Sequence, residues 1–371
     1  MTATVAVVGG GYGGVTAAQA LDDVANVVLI DPKDSFVHNV ASLRSIVDPS
    51  WGDRMYMSYD GALKNGTVIQ DWAVSVDPNG VQLSESGYVD ADYIILATGT
   101  TYPFPAKIGN YHANSGRQRI RRAHAELAKA NRVLLLGAGP VGLELSGEIK
   151  SRWPEKKVTL VDPERDILSG AFIPGFSQHM RTRMRNELRQ QLDAMGIELL
   201  LGTSMRAGVP AESGVARPFT ASTWSGQRIT ADIWFRCFGR QPASGNVSRE
   251  LVGARRSDSR LTVTDHLRVA GQHNIFAIGD IAATGALDTA VVAIEQGNLA
   301  AENVKALING ESELSSYQLS QPIFLVPLGP SGGASYEPES DTILDAATTA
   351  EFKGKDLLVS QYEETMGVTP H

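Results

Sequence analysis

An α/β chain of two three-layer units, each a parallel sheet between helices, with a small C-terminal α+β region, is the fold class that three stretches of this sequence predict. The first, Ala3 to Leu21, runs a β-branched apolar segment, Val5 to Val8, into Gly9-x-Gly11-x-x-Gly14 and an alanine-rich helix. The second, Arg132 to Lys150, repeats that order around Gly137-x-Gly139-x-x-Gly142. The third, Asn274 to Asp280, is an apolar run that ends in Gly-Asp. Short apolar runs closed by glycine read as buried parallel strands. Strand, tight turn and helix in succession build helix-covered parallel sheets.

Each glycine has its own physical task. Gly9 permits the turn, Gly11 lets a pyrophosphate approach the backbone, and Gly14 packs helix on strand. The free N–H groups and positive end of the helix then receive the anion. About 20 residues on, the pattern requires a carboxylate for a ribose hydroxyl. Val27 to Asp31 supplies it in the first unit and Lys157 to Asp162 in the second. The chain therefore reads as two Rossmann-like dinucleotide-binding folds. Two such sites facing each other imply a redox relay from a nicotinamide to a flavin. Asp162 favours NADH over NADPH by accepting from the 2′-hydroxyl, with Arg165 nearby as an opposing charge.

Composition sets the outer limits. A length of 371 residues suits two or three domains, and a formal charge of −8 argues against a basic nucleic-acid footprint. The single cysteine, Cys237, rules out paired thiols and with them a flavin–dithiol mechanism. No run of 18 apolar residues suggests a membrane span, and the first strand follows Met1 too closely for a leader. Thr2 stands where myristoylation needs glycine. These features point to a cytoplasmic protein, at most peripheral to a membrane.

In chain order, Lys33 to Ser45 follows the first ribose acid, so Lys33, His38, Asn39 and Arg44 run beside the first cofactor. Residues 66–98 alternate as a small antiparallel insertion with a turn at Asp77 to Gly80, then a strand to Ala97-Thr98-Gly99. The pattern divides the chain into a first segment of the FAD-binding domain at 1–105, an NAD(P)H-binding domain at 106–239, the FAD domain's second segment at 240–321, and a C-terminal region at 322–371. The arginines Arg117, Arg119, Arg121 and Arg122 read as a solvated helix face. Met180, Met184, Leu188, Leu192 and Met195 form a core stripe at helical spacing. Asp280 sits at the carboxyl edge of a parallel sheet, where ligands bind, and a helix from Leu287 to Ile308 aims its first amides at the flavin. The tail reads as a small layer walling the flavin on its far side.

The three signals in this order resemble the two-dinucleotide-binding-domain flavoproteins, and the likeness covers nearly the whole chain. Lys33-Asp-Ser-Phe-Val-His-Asn-Val-Ala-Ser-Leu-Arg44 and Gly142-Leu-Glu144 through Leu160 are most similar to the apoptosis-inducing-factor-like NAD(P)H:quinone oxidoreductases that carry FAD. The resemblance implies that Gly9, Gly11, Gly13, Gly14, Arg44 and Asp280 hold FAD, with Ala73 offering backbone to the adenine. It places Glu144 near the nicotinamide and makes a quinone the acceptor. Leu358 departs from the pattern, standing where such a relative has an aromatic residue in the acceptor pocket. Two other readings stay open: a reductase of a small iron-sulfur protein docking on Arg117 to Arg122, and a redox-sensing interaction protein.

Overall fold

The computed structural model describes residues 2–109, 111–170, 176–319, 321 and 323–368. Two parallel sheets carry the fold. The first runs Ile275–Ala277, Tyr93–Leu96, Thr4–Val8, Asn26–Asp31, Thr67–Gln70 in spatial order. Val5 lies opposite Val27 and Tyr93, so β-branched and aromatic residues stack through its centre. The second runs Ile197–Leu201, Lys157–Asp162, Arg132–Leu136, Ile233–Arg236. Val5, Ala6, Val7, Leu134 and Leu135 are wholly buried, which is why these strands read as unbroken apolar runs.

Ile275–Ala277 adds the first sheet's edge strand from late in the chain. The helix that follows, Ala290–Ile308, covers that sheet and crosses the first-fingerprint helix, Tyr12–Leu21. Glycine makes the crossing close. A Cβ on Gly13 would stand 2.6 Å from the Ala293 carbonyl oxygen, and one on Gly297 2.6 Å from that of Gly13.

Local expectations shift at the ends of elements. The long helix begins at Ala290, because the Thr289 hydroxyl caps it by accepting from the Val292 amide at 3.3 Å. The arginine-bearing helix spans Ala113–Lys129, and the methionine stripe lies on Gln178–Ala194, capped by Ser177. Met180, Met184, Leu188 and Leu192 are buried there as the spacing predicts. Between 66 and 98 the expectation is met only in part: Thr67–Gln70 joins the parallel sheet, and the antiparallel piece is Ala73–Asp77, Gly80–Leu83 and Tyr88–Asp90.

The tail differs most from its reading. Its antiparallel strands, Phe324–Leu328, Gly332–Glu337 and Thr342–Leu344, pack on the second-fingerprint helix Pro140–Arg152 and on Gln178–Ala194. Gly147 permits this contact, since a Cβ there would lie 2.5 Å from the Leu328 Cα. The terminal helix, Val359–Thr365, turns back to the first sheet's side, where Glu363 pairs with Arg54 at 3.0 Å. The tail therefore straddles both units.

Candidate functional site

The two fingerprints share one backbone geometry. Gly9 and Gly137 have φ of +109° and +111°, a left-handed region that an L side chain resists. A Cβ on Gly14 would meet the Gly9 carbonyl oxygen at 1.8 Å, and one on Gly142 that of Gly137 at 1.9 Å. At Gly11 and Gly139, however, a Cβ would have no atom within 4 Å. Each of these two glycines is the N-cap of its helix and offers no side-chain cap, so the first-turn amides face open space. That cradle suits a pyrophosphate on each unit. A methyl group would fill it.

The acids repeat as well. Asp31 Oδ2 accepts from the Gly10 amide at 2.6 Å, and Asp162 Oδ2 from the Ala138 amide at 2.6 Å. Their other oxygens accept from the amides of Lys33 and Glu164, each at 2.8 Å. The difference is one of charge. Lys33 Nζ pairs with Asp31 at 2.6 Å, whereas the corresponding neighbour of Asp162 is a glutamate.

A cavity of about 650 Å³ runs along the carboxyl edge of the first sheet. Strand order sets the sequence of its parts: Asp280 and Thr98–Gly99 at one side, Gly9 to Gly13 in the middle, then Asp31 and Lys33, and last Trp72 and Ala73. Thr98 donates to the Ala243 carbonyl at 2.7 Å, and Gly99 turns the chain at φ +65°. Asp280 lies in a 3₁₀ turn and accepts from the Thr100 hydroxyl at 2.7 Å. Sequence reasoning overlooked Lys107, whose Nζ donates to the Thr100 carbonyl at 2.5 Å. Burial pushes its pKa down, against the pull of Asp280. No local motif marks it, since it follows an irregular Pro-rich segment.

Two expected site residues stand away from this cavity. Arg44, 5% exposed, gives its guanidinium to Glu148 on the second-fingerprint helix at 2.7 Å and to the Lys355 carbonyl at 3.1 Å. Its fork forms an ion pair that joins both units and the tail, and Arg44 is not among the residues that line the cavity. Glu144, one turn earlier on that helix, pairs with Lys353 Nζ at 2.9 Å. Lys353 belongs to a π-helical turn, Ala350–Gly354, while Glu351 and Lys355 pair elsewhere on the same segment. Such turns interrupt the α register and re-aim a side chain.

A second seam lies behind Tyr12, the residue between Gly11 and Gly13 that lines the cavity. His38 is wholly buried, with Nε2 2.7 Å from the Leu357 carbonyl and Nδ1 3.3 Å from the Tyr12 hydroxyl. A carbonyl only accepts, so Nε2 carries the proton and Nδ1 receives that of Tyr12. Tyr362 closes the group, 4.7 Å from the His38 ring and 5.0 Å from Tyr12. Leu357 and Leu358 both adopt left-handed φ, 52° and 63°, a costly turn that presents the Leu357 oxygen to His38.

Burial pushes the His38 pKa from 6.5 to about 4. The unfolded chain binds a proton at His38 that the folded chain refuses, so stability is full above pH 6.5 and falls as pH drops toward 4. The loss amounts to roughly 3 kcal/mol at most. Urea melts at pH 7 and pH 4.5 are expected to show a smaller acid loss for His38→Gln than for wild type. Equal losses would remove His38 from the account.

The arginine face is partly committed. Arg117 pairs with Asp53 at 3.2 Å, and Arg119 donates to the Ile108 carbonyl while lying over Phe104. This leaves Arg121 and Arg122 exposed, a thin basis for iron-sulfur docking. Cys237 is buried, its thiol pKa pushed up to about 12 by burial. Among the described residues no helix is long and apolar enough to cross a membrane.

Known proteins are similar to this chain. Human ferroptosis suppressor protein 1 is 28% identical over 99% of this chain and 96% of its own length. Apoptosis-inducing factor homolog B of Dictyostelium discoideum is 26% identical over 96% and 95%. Among solved structures, the sulfide:quinone oxidoreductase of Aquifex aeolicus matches with a TM-score of 0.74, covering 98% of this chain and 91% of its own at 16% identity. Residues 3–297, which hold both fingerprints and the Gly-Asp edge, match the pyridine nucleotide-disulphide oxidoreductases, and the chain belongs to that family.

Proposed function

We propose that this oxidoreductase takes a hydride from NADH, bound on the second fingerprint, to FAD, bound on the first, and delivers the electrons to a quinone. The observation that carries the reading is the duplicated cradle: Gly11 and Gly139 leave room that a Cβ would fill, above uncapped helix amides and beside Asp31 and Asp162. FAD, when bound, supplies a ring that accepts hydride and returns electrons. In the net reaction NADH becomes NAD⁺, and the quinone gains two electrons and two protons, one of them from solvent.

The protein's part is binding and placement. Gly9 to Gly14 with Asp31, Lys33, Ala73, Thr98, Gly99 and Asp280 hold the flavin nucleotide, and Gly137, Gly139, Gly142 and Asp162 hold the nicotinamide nucleotide. Glu144, kept in position by Lys353, stands at the nicotinamide side of the seam. Because Cys237 is the one cysteine, the electrons leave the flavin without a dithiol between it and the acceptor. The likeness to apoptosis-inducing-factor-like enzymes supports a quinone in that place, and the tail residues Leu357 to Tyr362 behind Tyr12 wall the acceptor side.

Selection of NADH rests on charge. Lys33 pairs with Asp31, but Asp162 has Glu164 in the matching position, so a 2′-phosphate there would meet two carboxylates, with Arg165 as the nearby opposing charge. Replacing Asp162 with alanine is expected to lower the NADH to NADPH ratio of kcat/KM by roughly 10- to 100-fold, as for loss of a charged hydrogen bond. Anaerobic NADH should bleach the flavin band rapidly, and a soluble quinone should restore it rapidly. Fast bleaching with sluggish return would remove the quinone from the proposal, and faster bleaching by NADPH would remove the Asp162 argument.

A further inference from the structure

Two half-exposed aromatic side chains close the cavity beyond Asp31. Trp72 is 48% exposed and Tyr111 44%, with ring centroids 4.8 Å apart and planes at 69°. Both line the cavity beside Ala73. Exposed aromatics are ordinary when they stand alone. These two stand together, and their backbones are pinned.

Asp71 holds Trp72. Its carboxylate, in a residue only 6% exposed, accepts from the Trp72 amide at 2.6 Å, the Ser86 amide at 2.7 Å, the Glu85 amide at 3.0 Å and the Ser84 hydroxyl. Tyr111 is held through Asp34, whose amide donates to the Tyr111 carbonyl at 2.9 Å and whose carboxylate accepts from the Ala113 amide at 3.0 Å. Fixed backbones under exposed rings form a preorganised platform, which lowers the ordering cost of binding a flat group.

Its place follows from strand order. Gly9 ends the strand Thr4–Val8, Asp31 ends the next, and Asp71 follows Thr67–Gln70 beyond that, with Gln70 paired in register to Asp31. Along the carboxyl edge the phosphate cradle, the ribose acid and the aromatic pair thus succeed one another. A dinucleotide has its parts in the same succession.

We infer that Trp72 and Tyr111 clasp the purine of the dinucleotide on the first fingerprint, with Trp72 giving a ring face and Tyr111 bracing its edge. The inference rests on the reading that FAD occupies this cavity. Stacking a base on an aromatic ring tightens binding by roughly 5- to 100-fold, so the clasp sets cofactor retention. Apoprotein of the wild type, Trp72→Ala and Trp72→Phe is titrated with FAD by flavin fluorescence and with NADH as a control for the second fingerprint. Trp72→Ala is expected to bind FAD about tenfold or more weakly, Trp72→Phe within about threefold of wild type, and both to bind NADH as wild type does. Undiminished FAD binding by Trp72→Ala overturns the clasp, as does equal loss of FAD and NADH, or failure of phenylalanine to restore binding. A wild-type apoprotein that takes up no FAD overturns instead the assignment of FAD to this cavity.

Discussion

Gly11→Ala is expected to yield a folded protein that cannot keep its flavin, and Gly14→Ala a protein that does not fold, although only two residues separate them. At Gly11 the added methyl meets no protein atom within 4 Å, and the backbone is already extended, with φ −86° and ψ −168°. Alanine there is a poorer N-cap, at about 1 kcal/mol. The methyl instead stands where the pyrophosphate must approach. Holding the anion off weakens amide bonds to a charged group, so FAD binding should fall by roughly 100-fold, about 3 kcal/mol. At Gly14 the methyl lies 1.8 Å from the Gly9 carbonyl oxygen, a backbone atom that cannot turn aside. The helix must leave the strand, at a cost of about 3 kcal/mol or more, the top of the range for overpacking. Absorbance at the flavin band and thermal melting of both variants check the pair. A flavin-replete Gly11→Ala protein would falsify the cradle.

The second large effect concerns the buried ion pair. Arg44 and Glu148 are each 5% exposed, so removing one partner leaves a charge that water cannot reach. Arg44→Met is expected to destabilise the chain by about 3–5 kcal/mol, while Arg44→Met with Glu148→Leu should recover most of that loss. The reason is that desolvation of the lone carboxylate, rather than the attraction itself, dominates the cost. Urea melts of the single and double variants measure both numbers. The guanidinium also donates to the Lys355 carbonyl, so Arg44→Met should expose the tail to limited proteolysis before the rest unfolds. A single variant that melts with the wild type would show that the pair is hydrated in solution.

These two sites mark where the sequence could and could not be read. The glycines at 9, 11, 14, 137, 139 and 142 are legible because each set falls within one short turn at fixed spacing, where Gly14 and Gly142 answer a steric demand from the glycine that opens the same turn. The strands around them are buried on both faces and announce themselves as apolar runs. Arg44, by contrast, finds its partner 104 residues away, and the side chain of Lys353 reaches Glu144 across 209. No local pattern records such a pairing. Family likeness led to Arg44, but its pairing with Glu148 could be seen only in the structure. Trp72 escaped notice for a related reason: its role depends on Asp71 and on a neighbouring strand's register, and an exposed tryptophan in a turn carries no signal by itself.

The crossing of the first-fingerprint helix with Ala290–Ile308 bears on the order in which the chain is made. Gly13 leaves the ribosome early, yet the surface it is shaped to meet, around Ala293 and Gly297, emerges some 280 residues later. The edge strand Ile275–Ala277 arrives equally late. The nucleotide fold between them is contiguous, from Arg132 to Arg236, and its four strands pair with one another. Domains form as their residues become available, so the middle of this protein is expected to fold first, while the part that opens the sequence waits, half built, for the edge strand and the helix after it. Protease digestion of ribosome-bound chains stopped near residue 280, so that Ile233–Arg236 has emerged and Ile275–Ala277 has not, should find a resistant core lacking the N-terminal strands.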